Sequence, residues 1–206
     1  MKYIELHNNF HKKWYFSLNE VNIVDQGFRI ANIYDRIDKW YITSISKWRY
    51  IFSDIYIDES LLMQIANNIY TPSYISLEYA MRYYNLIPEW VFIMTSISTA
   101  KTQTLRWNIW TFRYNHITPK LFRWYILVKY ADKYIYIAEP EKLICDRFYF
   151  KNDKSYQDFE NLRIDIDELK SIIDIPKLQK YANIYPKTVS QTIYLFIKYI
   201  SEYDQY

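Results

Sequence analysis

The chain has 206 residues, half of them hydrophobic, which suits one large or two small domains with a sizeable core. A single glycine, Gly27, excludes the glycine-rich phosphate loops of Rossmann and P-loop proteins. A single cysteine, Cys145, excludes an internal disulfide and a cysteine-based zinc site, and a net charge of +3 is too small to name a polyanion partner by itself.

No apolar run of about 18 residues exists, and MKYIELHNNFHKKW lacks the apolar core of a signal peptide, so a cytoplasmic protein with no membrane partner is expected. The 24 Tyr, 11 Phe and 7 Trp are read as the compositional bias of an AT-rich coding sequence rather than as an aromatic binding surface. With so little glycine, turns must rely on Asn, Asp, Ser and Pro.

Residues 1–55 read as one small unit. Segment 3–12 is a short helix. Ser17-Leu-Asn-Glu20 is a capping box that starts a second helix running to about Ile23, and Asp25-Gln26-Gly27 is a turn. In FRIANIYDRIDKW, Ile30, Ile33, Tyr34, Ile37 and Tyr41 form one apolar stripe at helical spacing, and Arg29, Asn32, Arg36 and Lys39 form a polar stripe on another face. WYITSI and WRYIFS then read as two short strands around Ser46-Lys47. Three helices followed by a two-strand ribbon is the order of a winged helix-turn-helix, whose third helix enters the major groove. Arg and Asn are the side chains able to pair with guanine and adenine edges. Lys47 and Arg49 fall in or beside the wing, where they suit phosphates. The plainer alternative is a solvated helix face, with Asp35 and Asp38 opposing phosphates and Arg49 free to pair with either.

Residues 56–206 read as a second unit: ESLLMQIANNI as a helix broken by Thr71-Pro72-Ser73, then a helix capped by Ser76. Asn85 takes the left-handed position after that helix, and Pro88 prevents continuation. Strands follow at VFIMTSIS, TQTLRWN, IWTFRYNHI, WYILVKY and YIYIAE, with Asp132-Lys133 as a tight connection. Pro140 opens a helix through about Phe150. After a loop at 153–155 the chain is helical from Phe159 to Tyr203, with DELKSII, PKLQKYANI and TVSQTIYLFIKYISEY. The fold class is therefore α+β.

Charge is unevenly spread. Residues 101–133 hold seven bases against Asp132 alone, and residues 1–54 hold eight bases and six acids. Arg106, Arg113, Lys120, Arg123 and Lys129 are candidates for a basic face toward DNA or a protein, although strand parity does not oblige them to point one way. His116 reads as structural. His7 and His11 have the i, i+4 spacing of metal ligands, but no Glu completes a zincin motif, so no metal or other cofactor is expected. Glu139 and Glu141 suit a helix start, and Cys145 suits core packing.

SYISLEYAMRYYNLIPE, then TSISTAKT, WTFRYNHITPKLF and YIAEPEKLICDRFYF, taken in that order, resemble the AbiEi family of antitoxins and transcriptional regulators of type IV toxin–antitoxin systems, which act in abortive phage infection. The likeness covers roughly residues 16–200, and FSLNEVN to WRYIFSD resembles the winged helix that precedes the family's core. It implies a DNA-binding domain over 1–55, which represses its own operon, and an antitoxin domain over 56–206, with a mostly antiparallel sheet and C-terminal helices, which counteracts a nucleotidyltransferase-like toxin. It implies no enzymatic activity and no small-molecule substrate. The sequence departs from the family where glycine is usual, at Trp40 after the third helix and around Trp48 in the wing. Two other readings stay open: a metal-dependent nuclease using the acids between 139 and 167, and a protein-interaction module with a degenerate winged helix.

Overall fold

The computed structural model describes residues 1–108, 110–151 and 153–203. The first unit runs α1 (Tyr3–Phe10), a 3-10 turn (His11–Lys13), β1 (Tyr15–Ser17), α2 (Leu18–Val24), α3 (Ala31–Asp38), β2 (Ile42–Ser46) and β3 (Arg49–Phe52). Ser17 and Glu20 make the expected capping box. The Glu20 amide donates to Ser17 Oγ at 3.2 Å, and the Ser17 amide donates to Glu20 Oε2 at 2.8 Å. The strands form an antiparallel sheet in the order β1-β3-β2, with Phe16 opposite Tyr50 and Thr43 opposite Ile51. Strand β1 escapes sequence reading because three residues show no usable periodicity and their pairing partner lies over thirty residues away.

The second unit runs α4 (Glu59–Ile69), β4 (Ser73–Ile75), α5 (Leu77–Tyr83), β5 (Ile93–Ser98), β6 (Gln103–Trp107), β7 (Trp110–His116), β8 (Tyr125–Tyr130), β9 (Lys133–Ala138), α6 (Pro140–Phe150), α7 (Tyr156–Asn161), α8 (Ile166–Ile172), α9 (Ile175–Ala182) and α10 (Lys187–Glu202). Ile109, which the sequence reading puts at the head of β7, and residues 204–206 at the end of the second unit lie outside the described residues. The six strands form one sheet in the order β6-β7-β5-β4-β9-β8. It is mixed: β6/β7, β5/β4 and β9/β8 are antiparallel, and β7/β5 and β4/β9 are parallel. The whole is α+β, and among the described residues no helix is long and apolar enough to cross a membrane.

Helices cover both faces of this sheet. Tyr114 pairs across to Ser96, and Ser96 to Ile75, so these three side chains share a face. The Tyr114 hydroxyl donates to the Ala66 carbonyl of α4 at 2.7 Å. Tyr74, one residue before Ile75, points the other way and donates to Asp146 of α6 at 3.0 Å.

Asp146 is fully buried and is the hub of a polar network. It accepts from Tyr74, from Ser76 Oγ at 2.9 Å, from the Tyr185 hydroxyl at 3.0 Å and from Lys142, itself fully buried. Lys142 Nζ also donates to the Tyr185 oxygen at 2.5 Å. Burial, with Asp146 beside them, pushes the Tyr74 and Tyr185 phenols well above their ordinary range, so both stay donors. The network joins two stretches far apart in sequence, SYIS and PEKLICD, and corrects the expectation that Ser76 caps α5 with its side chain. That hydroxyl is committed to Asp146. Thr95 Oγ1 accepts from the Tyr79 amide at 3.0 Å instead, serving the helix start from β5.

Two apolar cores meet at the β2–β3 ribbon. Ile42, Tyr50 and Phe52 pack with Leu6, Phe10, Phe16, Val21, Phe28 and Ile33, whereas Ile45 and Ile51 belong to the larger core of the second unit. A side chain buried this fully contributes about 1.5–3 kcal/mol. Arg49 Nη1 donates to the Ile69 carbonyl at 3.1 Å, tying the ribbon to the end of α4. The boundary read near residue 55 therefore falls between two cores that share one ribbon.

Candidate nucleic-acid interface

Helix α3 is reached from α2 through a tight turn. Asp25 Oδ1 accepts from the Gly27 amide at 3.1 Å, and the Asp25 carbonyl accepts from the Phe28 amide at 3.0 Å. Phe28 is thereby driven into the small core, and the helix is anchored by buried Ile33 and half-buried Ile37. Arg29 and Asn32 stand exposed at its N-terminal end, with the Asn32 amide bonded to the Arg29 carbonyl at 2.9 Å.

The helix is rotated relative to the sequence expectation. Arg36 is only 5% exposed and belongs to the inward face with Ile33 and Ile37. Its guanidinium stacks on Phe28, 5.1 Å from the ring centroid, and Nη2 donates to the Met1 carbonyl at 2.8 Å. Burial draws the guanidinium below its ordinary value. Tyr34 and Tyr41, placed on the apolar stripe by sequence, are largely exposed instead. The physical reason is that a tyrosine's wet hydroxyl leaves it indifferent to either face, while an arginine stem can line a core if its head finds an acceptor.

Lys39 is exposed and pairs with Asp35 one turn earlier at 2.9 Å. The outward side of α3 and its two ends thus carry Arg29, Asn32 and Lys39 together with Asp35 and Asp38. At the ribbon tip Lys47 is exposed, 5.7 Å over the Trp48 ring. Arg49 pairs with neither Asp35 nor Asp38, since its Nη1 is directed at Ile69.

The five bases of the second unit do not form one contiguous face. Arg106 lies opposite Thr111, and Thr104 opposite Arg113, so Arg106 and Arg113 share one face at the β6/β7 end of the sheet. Lys129 is on β8 at the opposite end; four strand spacings from β7 amount to roughly 19 Å. Lys120 and Arg123 are exposed in the connection between β7 and β8, where Arg123 lies 5.5 Å over Trp124. Arg113 borders an open cleft of about 610 Å³ with Glu78, Arg147, Arg163 and the outward-facing Trp90 and Phe92. Within it Arg147 pairs with Asp153 at 2.9 Å and Arg163 with Glu89 at 2.8 Å.

Several of the acids between 139 and 167 have structural partners. Glu139 Oε2 accepts from the Tyr181 hydroxyl at 2.6 Å and lies 3.3 Å from Lys177. Glu141, nearly buried, accepts from the Asp174 amide at 2.9 Å and pairs with Lys177 at 3.0 Å. Asp165 caps α8 by accepting from the Glu168 amide. His116 Nδ1 lies 3.0 Å from the Ala100 carbonyl, a local structural bond.

One grouping was not legible in the sequence. Asp54, just past β3, sits against His7 of α1 and His11 at the start of the 3-10 turn that follows it. Only the i, i+4 histidine spacing hinted at it, because the third member is 47 residues from His7. A scan of protein-family models finds none that matches this chain, and a search of curated proteins finds no match either.

Proposed function

We propose that this chain is a DNA-binding repressor and antitoxin of the AbiEi kind, with a winged helix-turn-helix over residues 1–55 and an antitoxin domain beyond it. The observation that carries the reading is the helix–strand–helix–helix–strand–strand order with sheet order β1-β3-β2, which leaves Arg29 just before the third helix, Asn32 in its first turn and Lys47 at the ribbon tip exposed. Such an arrangement supports a reading in which the Arg and the Asn meet base edges and the Lys meets phosphates. Lys39 is a secondary phosphate contact, available once it leaves Asp35. Arg36 and Arg49 serve as scaffold: one holds α3 on its core, the other holds the ribbon on α4.

The antitoxin role rests on the resemblance of the 73–150 motifs, and the Arg113 cleft is the concave surface offered to a nucleotidyltransferase-like toxin. Neither role calls for catalysis or a small-molecule substrate. The nearly balanced charge on the outward face of α3 favours one second reading, in which the winged helix is degenerate and binds protein.

A fluorescence-anisotropy titration against the operon's own upstream DNA and a scrambled duplex, at two salt concentrations, separates the two. Preference for the upstream duplex, weakening with salt, is the expected result. No binding to either duplex favours the protein-binding module. Growth rescue on co-expression with the toxin of the same operon, lost in Arg113→Glu, tests the antitoxin half.

A further inference from the structure

His7 lies in the last turn of α1 and His11 just past its end, four residues on, and their rings lie together with centroids 4.2 Å apart. Asp54 Oδ2 is 2.9 Å from His7 Nε2 and 3.4 Å from His11 Nε2. One donor atom from each residue lies within 4.8 Å of the other two. We propose that His7, His11 and Asp54 hold one divalent transition-metal ion of the zinc class, with water completing its coordination.

The chemistry fits. Neutral imidazole nitrogen and carboxylate oxygen are standard zinc donors with bonds of about 2.0–2.1 Å, so donors around a tetrahedral ion stand roughly 3.3 Å apart. Two imidazoles and one carboxylate also leave open positions, as in three-ligand sites. The ligands are held by their surroundings. Phe52 packs against His7 at 5.0 Å and against His11 at 5.9 Å between ring centroids, and Tyr3 lies 5.8 Å from His7. The histidines are only partly exposed while Asp54 faces solvent, which gives an ion a path in from one side. A bound ion would join α1 to the connection that leaves β3 for the second unit.

The test is isothermal titration of tag-free protein with zinc chloride, with nickel as a second probe, alongside His7→Gln/His11→Gln, Asp54→Asn and, as a control, His116→Gln. Expected are one ion per chain and a raised Tm. Because outer-shell partners alone are worth 10–100-fold, losing direct ligands should weaken binding by at least about tenfold. His116→Gln should bind as the parent does. Binding should weaken in acid, since metal and proton compete for the imidazoles. Circular dichroism checks that each variant is folded, and Asp54→Asn, on an exposed site, keeps the test open if the double variant is not. Absence of saturable binding at submillimolar zinc, or equal binding by the parent and Asp54→Asn, would overturn the proposal.

Discussion

Trp40 and Asn85 occupy the same place in the same helix-ending motif. After α3 the Tyr41 amide returns to the Arg36 carbonyl and the Trp40 amide to that of Ile37; after α5 the Leu86 amide returns to Met81 and the Asn85 amide to Arg82. Both residues sit in the left-handed region, with φ of 59° and 56°. Asn tolerates that conformation, but Trp has no local hydrogen bond to compensate its Cβ clash. Trp40 is 83% exposed, so its ring recovers little by burial. Trp40→Gly is therefore expected to stabilise the protein by about 1 kcal/mol, after allowing for glycine's backbone entropy. In a chain of this size that raises Tm by about 2–4 °C in a thermal melt. Asn85→Gly should change it by less.

The Lys142–Asp146 pair has no solvent contact. Removing one partner strands the other charge, and Asp146→Ala also leaves Tyr74, Ser76 and Tyr185 without their acceptor. A loss of about 3–5 kcal/mol is expected in urea unfolding. Lys142→Met combined with Asp146→Leu should lose less than Asp146→Ala alone, because it leaves no unpaired charge.

Burial pushes the Cys145 thiol far above its ordinary value. Native protein should fail to react with a disulfide reagent at neutral pH and should release one equivalent in guanidinium. Rapid labelling of the native state would contradict the packing of α6.

Arg36 lines the small core, so Arg36→Met should leave affinity for the upstream duplex unchanged while lowering the stability of the fold by about 1 kcal/mol, read as a lower Tm. Arg29→Ala should do the reverse. Equal loss of DNA affinity in both variants would mean that α3 presents its other face.

Much of the fold was legible because local chemistry specified it. Ser17 with Glu20, Asn85 after α5 and Pro140 at the head of α6 each act within a turn of the chain, and β5 to β9 announce themselves as runs rich in β-branched and aromatic residues. Strands β1 and β4 were not, because three-residue strands owe their existence to distant partners. The candidate interface was half legible. Spacing picked out Arg29, Asn32 and Lys47, which the fold leaves exposed, but it turned α3 by counting Tyr34 and Tyr41 as inward residues, which brought Arg36 out. The basic residues of 101–133 looked like a cluster because sequence proximity says nothing about strand order, and β7 and β8 have three strands between them. Asp54 had no signal at all, since only folding brings it to His7 and His11.

The central claim is that the exposed end of α3 reads DNA sequence. It is tested most directly by comparing the parent with Arg29→Ala/Asn32→Ala for the ratio of affinities between upstream and scrambled duplexes at one salt concentration. Each good base pairing contributes about 1–3 kcal/mol of discrimination, so the account predicts at least a tenfold preference in the parent and near equality in the double variant. A preference that survives intact in the double variant, or its absence from the parent, would contradict it.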